Sequence, residues 1–473
     1  MKTFILTLSV LFALFSDAYG ESRINGSVSS RGEKISGVVV TDGFHFTQTC
    51  SEGYFTLDLH SDAQFVYLST PSNYKAPIEN GVVQFYKSVD SSNFDFELKP
   101  VGEDSRHNFL VLADVQVLRE EEFPMLDNAV DDMKEHLNTF TGELPVHVID
   151  AGDLVFDRMD FFSDYINSLK PLDIPVYRVV GNHDIDFNER ANQGSTKSYN
   201  KHFGPHYYSF SKGDIHYVVL NNTFYLGRAF YYIAYLTEEQ LCWLEKDLSY
   251  VEEGSTVVLS VHIPTTRPED DFRTLDYQRI SSSQINNSVL YDILDPYNTH
   301  IISGHRHTSS RHFISDNIIE HNVAAVSGSW WQTSICPDGT PAGYMVFEVD
   351  GDDLYYYYKS IGKDKDVQFR VYKPGEDTSQ KDALVVNVWG WDKTWSVEWS
   401  EDGVEKGKME QYSGLDPLAV EILSDSDNLI HNWTSPSKTD HLFRAFPAND
   451  ASEIEVVVTD SFGNKFSKII NIE

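Results

Sequence analysis

Five short runs of β-branched and aliphatic residues, each stopping abruptly at glycine or at side chains able to bind a metal, constrain this chain more than any other feature. Residues 108–113 run into Asp114-Val-Gln116, 146–151 into Gly152-Asp153, and 176–180 into Gly181-Asn182-His183-Asp184; 257–261 end at His262, and 300–303 at Gly304-His305-Arg306-His307. Continuous apolar runs of this length are how strands buried on both faces read. Between them Leu126, Ala129, Val130, Met133 and Leu137 recur at helical spacing, as do Phe162, Tyr165, Ile166 and Leu169. Thr237-x-x-Gln240 opens a further helix with a capping-box spacing. This alternation predicts a layered α/β domain, with the ligand-bearing turns gathered along the carboxyl edge of its sheet.

The flanks have another texture. Residues 37–41, 53–59, 65–69, 82–87 and 94–98 are β-type runs separated by turn clusters, which predicts an N-terminal β-sandwich. After Ile314 helical signals vanish, and runs at 322–327, 344–349, 354–359, 367–373, 384–388, 396–399, 454–458 and 468–472 read as strands. A chain of 473 residues exceeds one core. The expected organisation is a signal peptide (1–20), a β-sandwich (21–104), a catalytic domain (105–362) and a C-terminal β-sandwich-like domain (363–473).

The leader reading rests on Met1-Lys2-Thr3, the apolar stretch 4–15 and the small-x-small site Ala18-Tyr19-Gly20. That apolar stretch is short of the ~20 residues a spanning helix needs, so export to a periplasmic or extracellular space without a transmembrane segment is expected. The balance of 37 Lys and Arg against 72 Asp and Glu leaves a net charge of −35, a field that repels polyanions and argues against nucleic-acid partners. A small anion still binds where metal charge outweighs the local carboxylates. Cys50, Cys242 and Cys336 have no close spacing, so neither a disulfide framework nor a cysteine metal site is expected.

Asp114-x-Gln116, Gly152-Asp153, Gly181-Asn182-His183-Asp184, His262 and Gly304-His305-x-His307, in this order, resemble the calcineurin-like metallophosphoesterases over about residues 106–320. The flanks resemble the multidomain version of that superfamily common in secreted bacterial proteins, with a transthyretin-like domain in front and a β-rich domain behind. Ser327-Gly-Ser-Trp330-Trp331 followed by Asp338-Gly-Thr-Pro341 looks like the start of the latter. The resemblance implies an α/β (α+β) four-layer metallophosphoesterase sandwich between β-rich flanks. It also implies a metal-dependent phosphoric ester hydrolase with two divalent ions, drawn from Mn, Fe, Zn or Mg.

By the same resemblance Asp153 bridges the ions. Asp114, Gln116 and His307 complete one site, and Asn182, His262 and His305 the other. A hydroxide made at the metals attacks phosphorus, His183 protonates the leaving oxygen, and Asp184 orients the His183 ring. Substrates would be phosphate mono- or diesters, as small molecules or phosphorylated glycans. Two departures stand out. Gln116 replaces the commoner His, which favours harder ions over zinc. Phe156 stands where purple acid phosphatases carry a tyrosine ligand, which argues against that subgroup.

Arg306 is expected to point away from the ligands, into a surface salt bridge rather than the alternative, a phosphate contact. Residues 187–208 and 264–277 read as long loops walling the pocket, with Arg190, Lys197, Arg267 and Arg273 as candidate anion contacts. Trp330 and Trp331 read as either a stacking surface or domain packing. The rival reading is a non-catalytic glycan- or protein-binding surface protein on a degenerate phosphoesterase scaffold.

Overall fold

The computed structural model describes residues 22–140, 142, 144–266 and 276–472. The predicted leader, Arg267 and Arg273 lie outside the described residues.

Eleven central strands, in chain order, are β1 (Arg106–Leu112), β2 (Val146–Asp150), β3 (Val176–Arg178), β4 (Tyr208–Lys212), β5 (Ile215–Val219), β6 (Thr256–Ser260), β7 (Asn298–Ser303), β8 (Ser310–Phe313), β9 (Ile318–Asn322), β10 (Gly343–Asp350) and β11 (Asp353–Ser360). They form two sheets, ordered β3-β2-β1-β10-β11 and β4-β5-β6-β7-β9-β8. Within them β1, β2 and β3 run parallel, as do β5, β6, β7 and β9.

Alternation along β1 explains the layering. Phe109 and Val111 face the second sheet in a core shared with Tyr217, Val258, Ile301 and Phe347. Leu110 and Leu112 face Leu126, Val130 and Met133 of the helix Phe123–Leu137, and Phe162 and Tyr165 of the helix Phe162–Leu169. A strand apolar on both faces must be covered on both, and here it is. On the second sheet, Trp243, Leu244 and Leu248 of the helix Glu238–Leu248 join the inner core. The Thr237 side chain caps that helix by accepting from the Gln240 N–H. The result is a mixed α/β layered domain with β-rich regions added at both ends, as expected.

The N-terminal region holds two four-stranded sheets, one built on Ser22–Ser30 paired with Tyr54–Leu59 and Phe94–Glu97. It is attached through Thr70, whose carbonyl accepts from the Ser211 N–H, and through Phe46 against Trp243. The C-terminal region holds two further four-stranded sheets, and Trp395 and Val397 lie in the core between them. Among the described residues no helix is long and apolar enough to cross a membrane.

Several segments depart from the expectation. Residues 187–208 are not one loop, because Asn192–Ser195 and Lys197–Phe203 are helical, with Tyr199 and Phe203 buried. Thr223–Arg228 and Tyr231–Ala234 form an unforeseen hairpin. A seven-residue helix, Pro417–Leu423, interrupts the strands after Ile314, capped by Asp416. The strand expected at 322–327 is instead β9, ending at Asn322.

Candidate metal centre

The turns after β1, β2, β3, β6 and β7 open on one edge, where both sheets deliver their side chains. Asp114, Gln116, Asp153, His305 and His307 all have positive φ, at 54°, 45°, 56°, 73° and 53°. Their backbones leave the strands sharply enough for alternate side chains to point into one cluster. The turn is fastened from behind: Ala113 O accepts from Val326 N–H, Asp114 O from the Ser327 hydroxyl, and Val115 O from Trp331 Nε1–H. The Ser327–Trp331 segment therefore positions the first ligand turn. Glycine is required where the strand ends approach most closely. A Cβ on Gly181 would collide with Asp153, and one on Gly304 would lie 2.8 Å from Asp114 Oδ2.

Asp153, 1% exposed, occupies the centre. Its Oδ2 accepts from Gln116 Nε2 at 2.6 Å and lies 3.2 Å from His262 Nε2, and its Oδ1 accepts from the His183 N–H at 2.8 Å. Ligand atoms of Asp153, His262 and His305 all lie within 4.8 Å of one another. Asn182 Oδ1 is 3.1 Å from His262 Nε2. The other ring nitrogen of His262 meets Ala151 O at 2.9 Å, which aims Nε2 inward. On the first-site side, His307 Nε2 is 3.4 Å from Asp114 Oδ1, and the Asp114 carboxylate accepts from the His305 N–H.

The donor set fits divalent ions. Gln116 Oε1 and His307 Nε2 are buried without hydrogen-bond partners, a costly arrangement for polar atoms unless a further group completes them. In the protein alone, burial and the neighbouring Asp153 push the Asp114 carboxyl up. Burial acts upward on Asp153 too, but His262, His183 and its hydrogen bonds hold it down. Burial drives His305 well below its usual range and His307 down to about 4, leaving neutral imidazoles of the kind that ligate metals.

His183 lies beside this cluster, partly buried, with its ring stacked on Phe156 at 4.0 Å. The carboxylate at its Nδ1 is not Asp184 but Asp157, at 2.7 Å. Burial lowers the His183 pKa, yet the charges of Asp153 and Asp157 outweigh it and raise the group overall. Asp184 is fully buried and turned inward, accepting from the N–H groups of Gly181, Leu154 and Val155. It shapes the turn, and the expected contact with the ring is absent for that reason.

Asp157, bonded to His183, is the candidate site residue that sequence reasoning missed. Its only local signals were a carboxylate four positions beyond Asp153 and, in the structure, a φ of 57°. Arg306 does point away from the ligands, but not into a surface salt bridge. Its guanidinium donates to Thr266 O, Ser282 O and Ser283 Oγ, and so holds the segment that follows His262. Lys197 is exposed beside Glu189, and Arg190 is exposed.

Three family models match the chain: the calcineurin-like phosphoesterase over residues 107–309, and the N-terminal and C-terminal regions of calcineurin-like phosphoesterases over 22–101 and 320–466. Among curated proteins none matches in sequence. Solved structures similar to the chain include a dimetal phosphatase from Danio rerio, at 14% identity over 54% of this chain and 97% of that one, with a TM-score of 0.39. A purple acid phosphatase from yellow lupin (Lupinus luteus) seeds is 12% identical over 69% of this chain and 68% of that one, with a TM-score of 0.41. A 5′-nucleotidase from Candida albicans is 11% identical over 56% and 52%, with a TM-score of 0.34. With all three models in register along its length and the donor cluster in the central one, this chain belongs to the calcineurin-like phosphoesterases, a family of metal-dependent phosphoester hydrolases.

Proposed function

We propose that the chain is an exported hydrolase of phosphate mono- or diesters using two divalent ions. Asp114, Gln116 and His307 would hold one, Asn182, His262 and His305 the other, and Asp153 both. The observation that carries the reading is the buried set of Asp153, His262 and His305, whose ligand atoms lie within 4.8 Å, next to a histidine that bonds a carboxylate through Nδ1. When bound, the ions supply Lewis acidity for activating water and for neutralising phosphoryl oxygens.

The residues of the chain do the rest. Asp157 accepts from Nδ1 of His183 and so fixes the ring and keeps its proton available at Nε2, the edge turned to the leaving oxygen. Phe156 packs flat on that ring and limits its rotation. The His183 N–H, donated to Asp153 Oδ1, ties the acid to the bridging carboxylate, so proton donor and metal cluster keep one geometry. The contacts of Gln116 and His262 with Asp153, of Asn182 with His262, and of His305 and His307 with Asp114 support catalysis over a degenerate scaffold. The leader-like residues 1–20 support export.

Protein stripped with chelator and reloaded with Mn²⁺ should bind two ions per chain and hydrolyse p-nitrophenyl phosphate or its bis-ester. Turnover of the first but not the second would assign a monoesterase, and the reverse a diesterase. Less than one ion bound per chain, with no turnover under any divalent metal, would overturn the proposal.

A further inference from the structure

Trp433 is a large apolar side chain with 56% of its surface exposed. It lies in the C-terminal region, on the turn before the strand Lys438–Ala445. Gln332 grips that turn at both ends, accepting from the His431 N–H at 3.0 Å and donating to Thr434 Oγ1 at 3.1 Å. The turn is thus held against the catalytic region, and the indole it carries lies 4.7 Å from the His431 ring and stays largely exposed. An exposed aromatic face offers a ring-bearing ligand a surface to stack on.

Its neighbours place that face beside the chemistry. The Trp433 ring is 6.2 Å from Phe156 and 6.3 Å from Trp330. Phe156 is stacked on His183 at 4.0 Å, and Trp330 on His307 at 4.2 Å. One indole from the C-terminal region therefore joins an aromatic rim that reaches the proposed proton donor on one side and a proposed metal ligand on the other. An alcohol leaving phosphorus would take its proton from His183, which brings the group it carries close to Phe156 and Trp433.

We propose that Trp433, with Phe156, selects phosphoesters whose leaving alcohol bears an aromatic ring, which makes the C-terminal region a specificity element of the active site. This rests on His183 being the proton donor of a phosphoester hydrolase. The rim offers ring faces, so the selectivity comes from stacking, which every flat ring satisfies.

The test uses the full chain loaded with Mn²⁺. Benzylphosphonate and ethylphosphonate, which cannot be hydrolysed, are titrated calorimetrically; benzyl phosphate and ethyl phosphate, matched as alkyl leaving groups, are followed for phosphate release. Wild-type protein should prefer the benzyl member of each pair. Trp433→Ala should cut that preference about tenfold, in binding and in kcat/KM alike, and Trp433→Phe should keep most of it. A preference that is absent in the wild type, or unchanged in Trp433→Ala, overturns the proposal. Ring-selective binding of the phosphonates without hydrolysis of either ester, or of bis-p-nitrophenyl phosphate, would instead overturn the phosphoesterase reading and leave the platform standing.

Discussion

His183 Nδ1 lies 2.7 Å from Asp157 Oδ1, and this pair rather than His183 with its sequence neighbour Asp184 sets the orientation of the proposed acid. The two carboxylates therefore predict different phenotypes. Asp157→Asn should lower kcat by about 10- to 100-fold with two metals still bound, because a mis-set ring delivers its proton poorly. Asp184→Asn should act on the fold. The carboxyl uses both oxygens to accept from three N–H groups and an amide has one, so a buried N–H loses its acceptor, and denaturant titration should register a loss of roughly 1–3 kcal/mol. A catalytic defect in Asp184→Asn at wild-type stability would reverse the two assignments.

Gln116 distinguishes the two proposed metal sites. Its Oε1 and His307 Nε2 are both buried without a hydrogen-bond partner. Gln116→Ala and His307→Ala should each reduce metal content from two ions per chain towards one, as counted by elemental analysis. His183→Ala should retain both ions while losing about 10²–10⁴ in rate.

Gly181 has no room for a side chain, since its Cβ would overlap Asp153 backbone and carboxylate. Gly181→Ala should displace the bridging residue, abolish binding of the second ion and cost about 1–3 kcal/mol by overpacking. Circular dichroism alongside metal analysis distinguishes this from global unfolding.

A pH effect is expected away from the centre. His300 packs against Tyr356 and shares a hydrogen bond with His321, which accepts from the Arg311 guanidinium, itself bonded to Asp392; burial first, and the Arg311 charge second, pull the His300 pKa down to about 4. The unfolded chain protonates this histidine near 6.5 and the folded chain does not, so the folded state loses ground as pH falls from about 6.5 towards 4. For one such group the loss reaches about 3 kcal/mol at the low end. The urea midpoint of the wild type should drop across this window, and His300→Gln should flatten the drop.

What the sequence made legible was set by local geometry. Strand ends advertise themselves, because an apolar run such as 108–113 can end in Asp114 and Gln116 only where something uses them. The positions read from the sequence meet at one edge: the His305 backbone N–H donates to Asp114, and Asn182 Oδ1 lies 3.1 Å from His262 Nε2. Asp157 was invisible because its partner is 26 positions away, and nothing local distinguishes it from a loop carboxylate. Trp433 was hidden by a longer separation: Trp330 was suspected of stacking, but the ring completing its surface comes from another region. The helix Lys197–Phe203 escaped because it buries little beyond Tyr199, Asn200 and Phe203, too few for a period to show.

The five ligand residues with positive φ carry one more implication. That backbone region is open to glycine and tolerated by Asn, Asp and His, and it is a genuine outlier for β-branched side chains. At Asp114, Gln116, Asp153, His305 and His307 the main chain therefore screens candidates before any cation does. Threonine at position 114 or valine at 307 would be rejected by its own torsion, with or without an ion to bind. The chain's repertoire for retuning its metals is correspondingly narrow, and a change of ion has to come through swaps among a few unbranched polar residues, of which a glutamine at 116 is one.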